Sequence, residues 1–190
     1  MLNKYLILFS IVLLSCQNNS NYDKLVREEM KKGEYIDSIQ FGLKFGDTKK
    51  DFFVKSWELN NEGKVTHGPN NDFIAYELEN MPEGKRVNHL FYATFEEDDI
   101  LSGLDMRFYF LGWAPWNQSL QSEYVLPIAM DKLMEWYPGN EFIPVDNIDI
   151  KQDAYVKIDG NREIIIHTMD EKNVRAKLTD LRVKYPNLAK

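Results

Sequence analysis

The chain has a single cysteine, Cys16, in 190 residues. The body that follows it has no disulfide and must hold its fold by packing alone. Glycine and proline are scarce, at 10 and 7 residues, which excludes collagen-like and low-complexity architectures. Basic charge is short as well: 23 Lys and Arg stand against 30 Asp and Glu, a formal balance of −7. A nucleic-acid-binding surface needs a dense basic patch to displace phosphate counterions, so no nucleic-acid partner is expected. No apolar run approaches the ~20 residues that a bilayer-spanning helix requires. What the chain does have is 44% hydrophobic and 13% aromatic residues, with 28% charged residues mixed among them. That is enough to close one ordinary core.

The N-terminus carries the strongest signal. Lys4 is followed by an apolar run from Tyr5 to Leu14, broken only by Ser10, then by the small Ser15 and by Cys16. A basic residue, a short apolar stretch and a small residue before a cleavage point are the parts of a secretory signal. Leu13-Leu14-Ser15-Cys16 resembles the lipobox of bacterial lipoproteins. The resemblance implies that residues 1–15 are removed, that the Cys16 thiol carries diacylglycerol, and that the lipid bilayer is a partner through acylated Cys16. Gln17 stands where an Asp would retain such proteins at the inner membrane, which implies a periplasm-facing, outer-membrane location. Removing residues 1–15 takes away Lys4 and no acid, leaving 22 basic and 30 acidic residues.

Residues 16–34 read as lipidated cysteine and tether: Gln17 to Asn21 is polar and aperiodic, and Asp23 to Lys32 adds a short polar helix. Residues 35–190 read as one domain with halves 35–111 and 112–190. Ile36, Ile39, Phe41 and Leu43 suggest a first strand. Thr48, with Asp51 three residues on, predicts a capped helix; Phe53, Val54 and Trp57 are its apolar stripe, and Gly63 stops it. Strands follow at Ile74, Tyr76 and Leu78, at Val87 to Phe95, and at Leu104 to Phe110, with Glu96 to Asp99 as an acidic hairpin tip. Residues 119–137 predict a second helix that kinks or starts at Pro127. Ala154 to Ile158 and Arg162 to Met169 form a hairpin, with Asp159-Gly160 as a type I′ turn, and Val174, Ala176 and Leu178 alternate as a last strand. The fold class is therefore α+β, an antiparallel sheet with helices packed on one face, in two tandem αβββ units. The pattern is similar to envelope proteins of the BamE-like and beta-lactamase-inhibitor-protein-like kinds, and Gly46-Asp47-Thr48 resembles the Gly-Met-Thr helix entry of the former.

Catalytic spacing is missing. There is no Gly-x-Ser-x-Gly elbow and no Gly-rich loop before a helix, and His67, His89 and His167 stand far apart, so no catalytic residue, cofactor or metal is expected. His89 falls on the apolar side of its strand, as a hydrogen-bonded core histidine; His67 falls in a solvated loop. Trp113 and Trp116, beside Gly112 and Pro115, make the connection after the third strand the first candidate binding surface, with Arg107, Tyr109 and Tyr124 beside it in sequence. The expected function is a non-catalytic lipoprotein that binds another envelope protein. A glycan- or small-ligand-binding lipoprotein using Trp113 and Trp116 is the second reading, and an envelope hydrolase the third.

Overall fold

The computed structural model describes residues 21–69, 72–145 and 153–189; Cys16 and the lipobox lie outside the described residues. Among the described residues eight strands form one antiparallel sheet: β1 (Thr66–His67), β2 (Ile74–Glu77), β3 (Val87–Phe95), β4 (Leu101–Phe110), β5 (Ile143–Val145), β6 (Ala154–Asp159), β7 (Arg162–Thr168) and β8 (Val174–Asp180). Their spatial order is β1-β2-β3-β4-β8-β7-β6-β5. Two meanders, β1 to β4 and β5 to β8, thus join through a β4·β8 seam into one continuous sheet. Gly103 on β4 sits at that seam, where a Cβ would stand 2.2 Å from the Leu178 carbonyl oxygen. The chain is α+β, and each meander is preceded by a helix, α2 (Lys49–Asn61) and α3 (Ser122–Trp136). The short edge strands β1 and β5 add one strand to each expected unit.

Alternation along the strands sorts side chains between two faces. On one face Val125, Ala129 and Leu133 of α3, spaced four residues apart, share a core with Leu104, Met106, Ile164, Ile166, Ala176 and Leu178. The opposite face is covered at β6, where Val26 and Met30 of α1 (Asn21–Lys31) pack with Val156 and Ile158. Helix α1 was expected as part of the tether, with ordered structure beginning near Tyr35. Its amphipathic face instead packs it into the body.

Buried polar groups pin this N-terminal segment to the β6–β7 hairpin. The Ile36 amide donates to Asn161 Oδ1 at 2.7 Å, and Asn161 Nδ2 donates back to the Ile36 carbonyl at 3.1 Å. Beneath them Lys157, fully buried, meets Asp159 at 2.8 Å, and Arg162 meets the same carboxylate at 3.3 Å. A lone buried charge is costly, so these groups are retained only as a matched set.

Several local expectations hold. Thr48 and Asp51 form a reciprocal capping box, and Gly63 takes the C′ place, with its amide and that of Lys64 donating to Asn60 and Leu59 as in a Schellman motif. Residues Glu96 to Asp99 lie exposed at the β3–β4 tip, and Val174–Asp180 is a strand.

Others are corrected. Residues 35–45 form a tight loop rather than a strand, with a Ser38↔Lys44 bridge and Phe41 at φ 60 turning its ring into the core. The β6–β7 turn residues are Gly160 and Asn161, one step on from the expected pair. Only Gly160 has positive φ, which fits a type II′ turn. Helix α3 starts at Ser122 and runs through Pro127. Pro127 and Glu123 are both exposed, so the Glu123 carbonyl that loses its donor can be hydrated. The buried stripe of α2 is Phe52 and Leu59, with Ser56 half-buried, while Phe53, Val54 and Trp57 are 50%, 48% and 67% exposed. Phe52-Phe53-Val54 offers two overlapping stripes, and packing of Phe52 edge-on against Tyr92 and Phe95 selects the other one.

Candidate functional site

The face opposite α3 is open across β4 and β8, and at β3 it is bounded by α2, whose Phe52 packs on Tyr92. Strand alternation and register place Asn88 and Tyr92 of β3, Asp105, Arg107 and Tyr109 of β4, and Arg175 and Lys177 of β8 on it. Arg107 lies directly opposite Arg175, an arrangement that repels unless each cation finds a partner. Arg175 has one: it donates from Nε and Nη2 to Asp105 at 3.1 and 2.6 Å, and that hydrogen-bonded carboxylate raises its pKa above the ordinary arginine value. The Arg107 guanidinium lies 4.8 Å from the Phe73 ring centre, and its Nε is buried without a hydrogen-bond partner.

Beside them Asn88 Nδ2 donates to the Tyr109 hydroxyl at 2.8 Å. The Lys172 ammonium lies 4.5 Å from the Tyr109 ring centre and 5.8 Å from that of Trp113. Arg107, Arg175 and Lys177 stand on this face beside Asp105, with Lys172 at its Tyr109 end; Asp72 lines a hollow with Asp105, and Glu163 and Asp170 lie within charge range of Lys177 and Lys172. Tyrosine and arginine carry binding energy well, because each supplies large contact area and directed donors at low entropic cost.

The residues singled out in the sequence divide here. Arg107 and Tyr109 share this face, and Trp113 joins its margin through Lys172. Trp113 is half-buried, its indole donating to Gln121 Oε1 at 3.3 Å. Trp116 is 84% exposed in the loop after β4, and Tyr124 projects from α3 on the covered side of the sheet, so neither belongs to the same surface. Tyr92, Lys172, Arg175 and Lys177 were missed. For Tyr92, Arg175 and Lys177 the signal was present in the sequence as the outward alternates of strands whose inward residues had already been assigned, whereas Lys172 lies in the β7–β8 turn.

The histidines separate too. His67 is exposed on β1, an edge strand rather than a loop. His167 Nδ1 lies 2.9 Å from the Thr168 carbonyl. His89 is fully buried, stacked on Phe108 at 4.5 Å and flanked by Phe91 and Trp136. Contrary to expectation, neither of its ring nitrogens has a hydrogen-bond partner. Burial alone depresses its pKa to about 3, so it is neutral.

No protein-family model and no curated protein matches the chain. Among solved structures it is similar to a DUF4309 family protein, YjgB, from Bacillus subtilis, with 20% identity, 83% of this chain and 94% of that one covered, and a TM-score of 0.32. A likeness that weak carries no argument about fold or function.

Proposed function

We propose that the protein is a lipid-anchored envelope protein without catalytic function, whose open sheet face holds the acidic surface of another envelope protein. Acylated Cys16 would tether it to the outer membrane with its body in the periplasm, the reading that the lipobox resemblance supports. The observation that carries the binding role is the placing of Arg107, Arg175 and Lys177 with Tyr92 and Tyr109 on one face of an acidic chain, with Lys172 over the Tyr109 ring. The glycan reading has less support, because Trp113 is already engaged by Gln121 and Lys172, leaving Trp116 as the one freely exposed ring of the pair. The hydrolase reading required His89 or His167 to meet a carboxylate; His89 has aromatic neighbours, and His167 faces a backbone carbonyl.

Site-specific photocrosslinking from position 109 in cells tests the reading. A single crosslinked partner should appear, and it should vanish in an Arg107→Glu/Lys177→Glu double variant while surviving Trp116→Ala. A crosslink that ignores the charge reversal and depends on Trp116 moves the binding surface to the loop and refutes the proposal. The anchor is tested separately: Cys16→Ala should shift the processed protein from the membrane to the soluble fraction, with cleavage monitored on the same gel.

A further inference from the structure

A second surface feature borders the open sheet face and shares Tyr92 with it. Between α2 and the β1–β2 edge runs a groove of about 370 Å³, within the size range of small-molecule sites. The rings of Phe53, Trp57, Phe73 and Tyr92 line it over the buried Phe52, together with His67 and the Asp72 carboxylate. Trp57 and Phe53 are the rings that α2 turns outward, 67% and 50% exposed. Keeping them in water forgoes burial worth roughly 25 cal/mol per Å² of apolar surface, so an occupant that covers them gains that amount.

The charge of the groove sets the chemistry of that occupant. Among the described residues that line it Asp72 is the carboxylate and His67 the basic side chain, and Asp72 has no ion-pair partner among the described residues. The nearby charges of α2 and its exit are matched with each other, Lys55 with Glu58 and Lys64 with Glu62. Ring faces present negative potential, and a carboxylate at their rim adds to it. Apolar walls penalise a strongly hydrated ion and favour a cation already clothed in carbon. The molecule supplies its own precedent, since Phe73 already carries the Arg107 guanidinium 4.8 Å from its ring centre.

From the four rings, the unpaired Asp72 and the groove's volume, we infer that this is a binding site for a small quaternary-ammonium compound. Its methylated head lies among the rings of Trp57, Phe53 and Tyr92, and its positive charge faces Asp72. The inference goes beyond the protein-binding reading and does not depend on it.

Isothermal titration of the purified protein with choline, and with dimethylbutanol as the uncharged analogue in which carbon replaces nitrogen, tests it. Choline should bind saturably at one site and the alcohol about tenfold more weakly. Asp72→Asn and Trp57→Ala should each weaken choline about tenfold without moving the thermal melt, because both side chains are exposed. Equal binding of choline and the alcohol would make the groove merely apolar and overturn the inference. So would choline affinity unchanged by both substitutions, or no saturable choline binding at all.

Discussion

Replacing His89 by leucine should make the protein's stability markedly less sensitive to acid. The imidazole is fully buried among Phe91, Phe108 and Trp136, and both its nitrogens lack partners. Its folded pKa is depressed to about 3 by burial, whereas an unfolded chain has its histidines near 6.5. Below pH 6.5 the unfolded state therefore binds a proton that the folded state refuses. Stability falls as the pH falls, until the folded ring itself titrates near pH 3. At about 1.36 kcal/mol per unit, the full loss is about 5 kcal/mol, of which about 2 kcal/mol is spent between pH 7.5 and pH 5.

Leucine does not titrate, so His89→Leu removes this component. Whatever it gains or loses in packing is the same at both pH values and cancels from the comparison. Near neutrality, relief of an unsatisfied buried polar group, worth about 1–3 kcal/mol, opposes the loss of ring stacking, and the variant should lie within about 1 kcal/mol of wild type. Urea unfolding at pH 7.5 and pH 5, followed by tryptophan fluorescence, measures both. Parallel shifts of the two proteins between those pH values would mean that His89 titrates normally in the folded state, and the account of its environment would be wrong.

Asp159→Ala should cost about 3–5 kcal/mol, seen as a large drop in melting temperature, because it leaves fully buried Lys157 and Arg162 without their counter-charge. Glu163, buried under α1 and accepting from Tyr22, has its pKa raised chiefly by desolvation. Stability is thus lost as the pH rises from the ordinary glutamate value through the raised folded pKa. Glu163→Gln should stabilise the protein at pH 7.5 relative to wild type and lose that advantage at pH 4, as compared by urea midpoints. Thr48→Ala removes the α2 capping box and should cost about 1 kcal/mol by the same assay.

Much of the architecture was legible because its causes are local. Thr48 with Asp51 and Gly63 marked both ends of α2, and alternating Val87 to Phe95 and Leu104 to Phe110 marked the central hairpin. Where the sequence misled, two patterns competed. Phe52-Phe53-Val54 supports either of two helix faces, and Ile36 to Leu43 alternates like a strand while Phe41 and Gly42 both turn to positive φ. The candidate site was half legible: Arg107 and Tyr109 were singled out, but for their nearness to Trp113 rather than for the face they share.

By itself the sequence determined the fold class, the caps, most of the strands and the acidic balance, since each follows from side-chain period or from bonds between residues a few positions apart. Only the tertiary structure decided that the two meanders meet at β4 and β8, which sets Arg175 and Lys177 beside Asp105 and Arg107 across about 70 residues of chain. It also decided which stripe of α2 is buried, and so left Phe53 and Trp57 in a groove with Asp72. Both outcomes depend on which surfaces pack together, and packing compares whole faces at once, so residues distant in sequence become neighbours that no local pattern encodes.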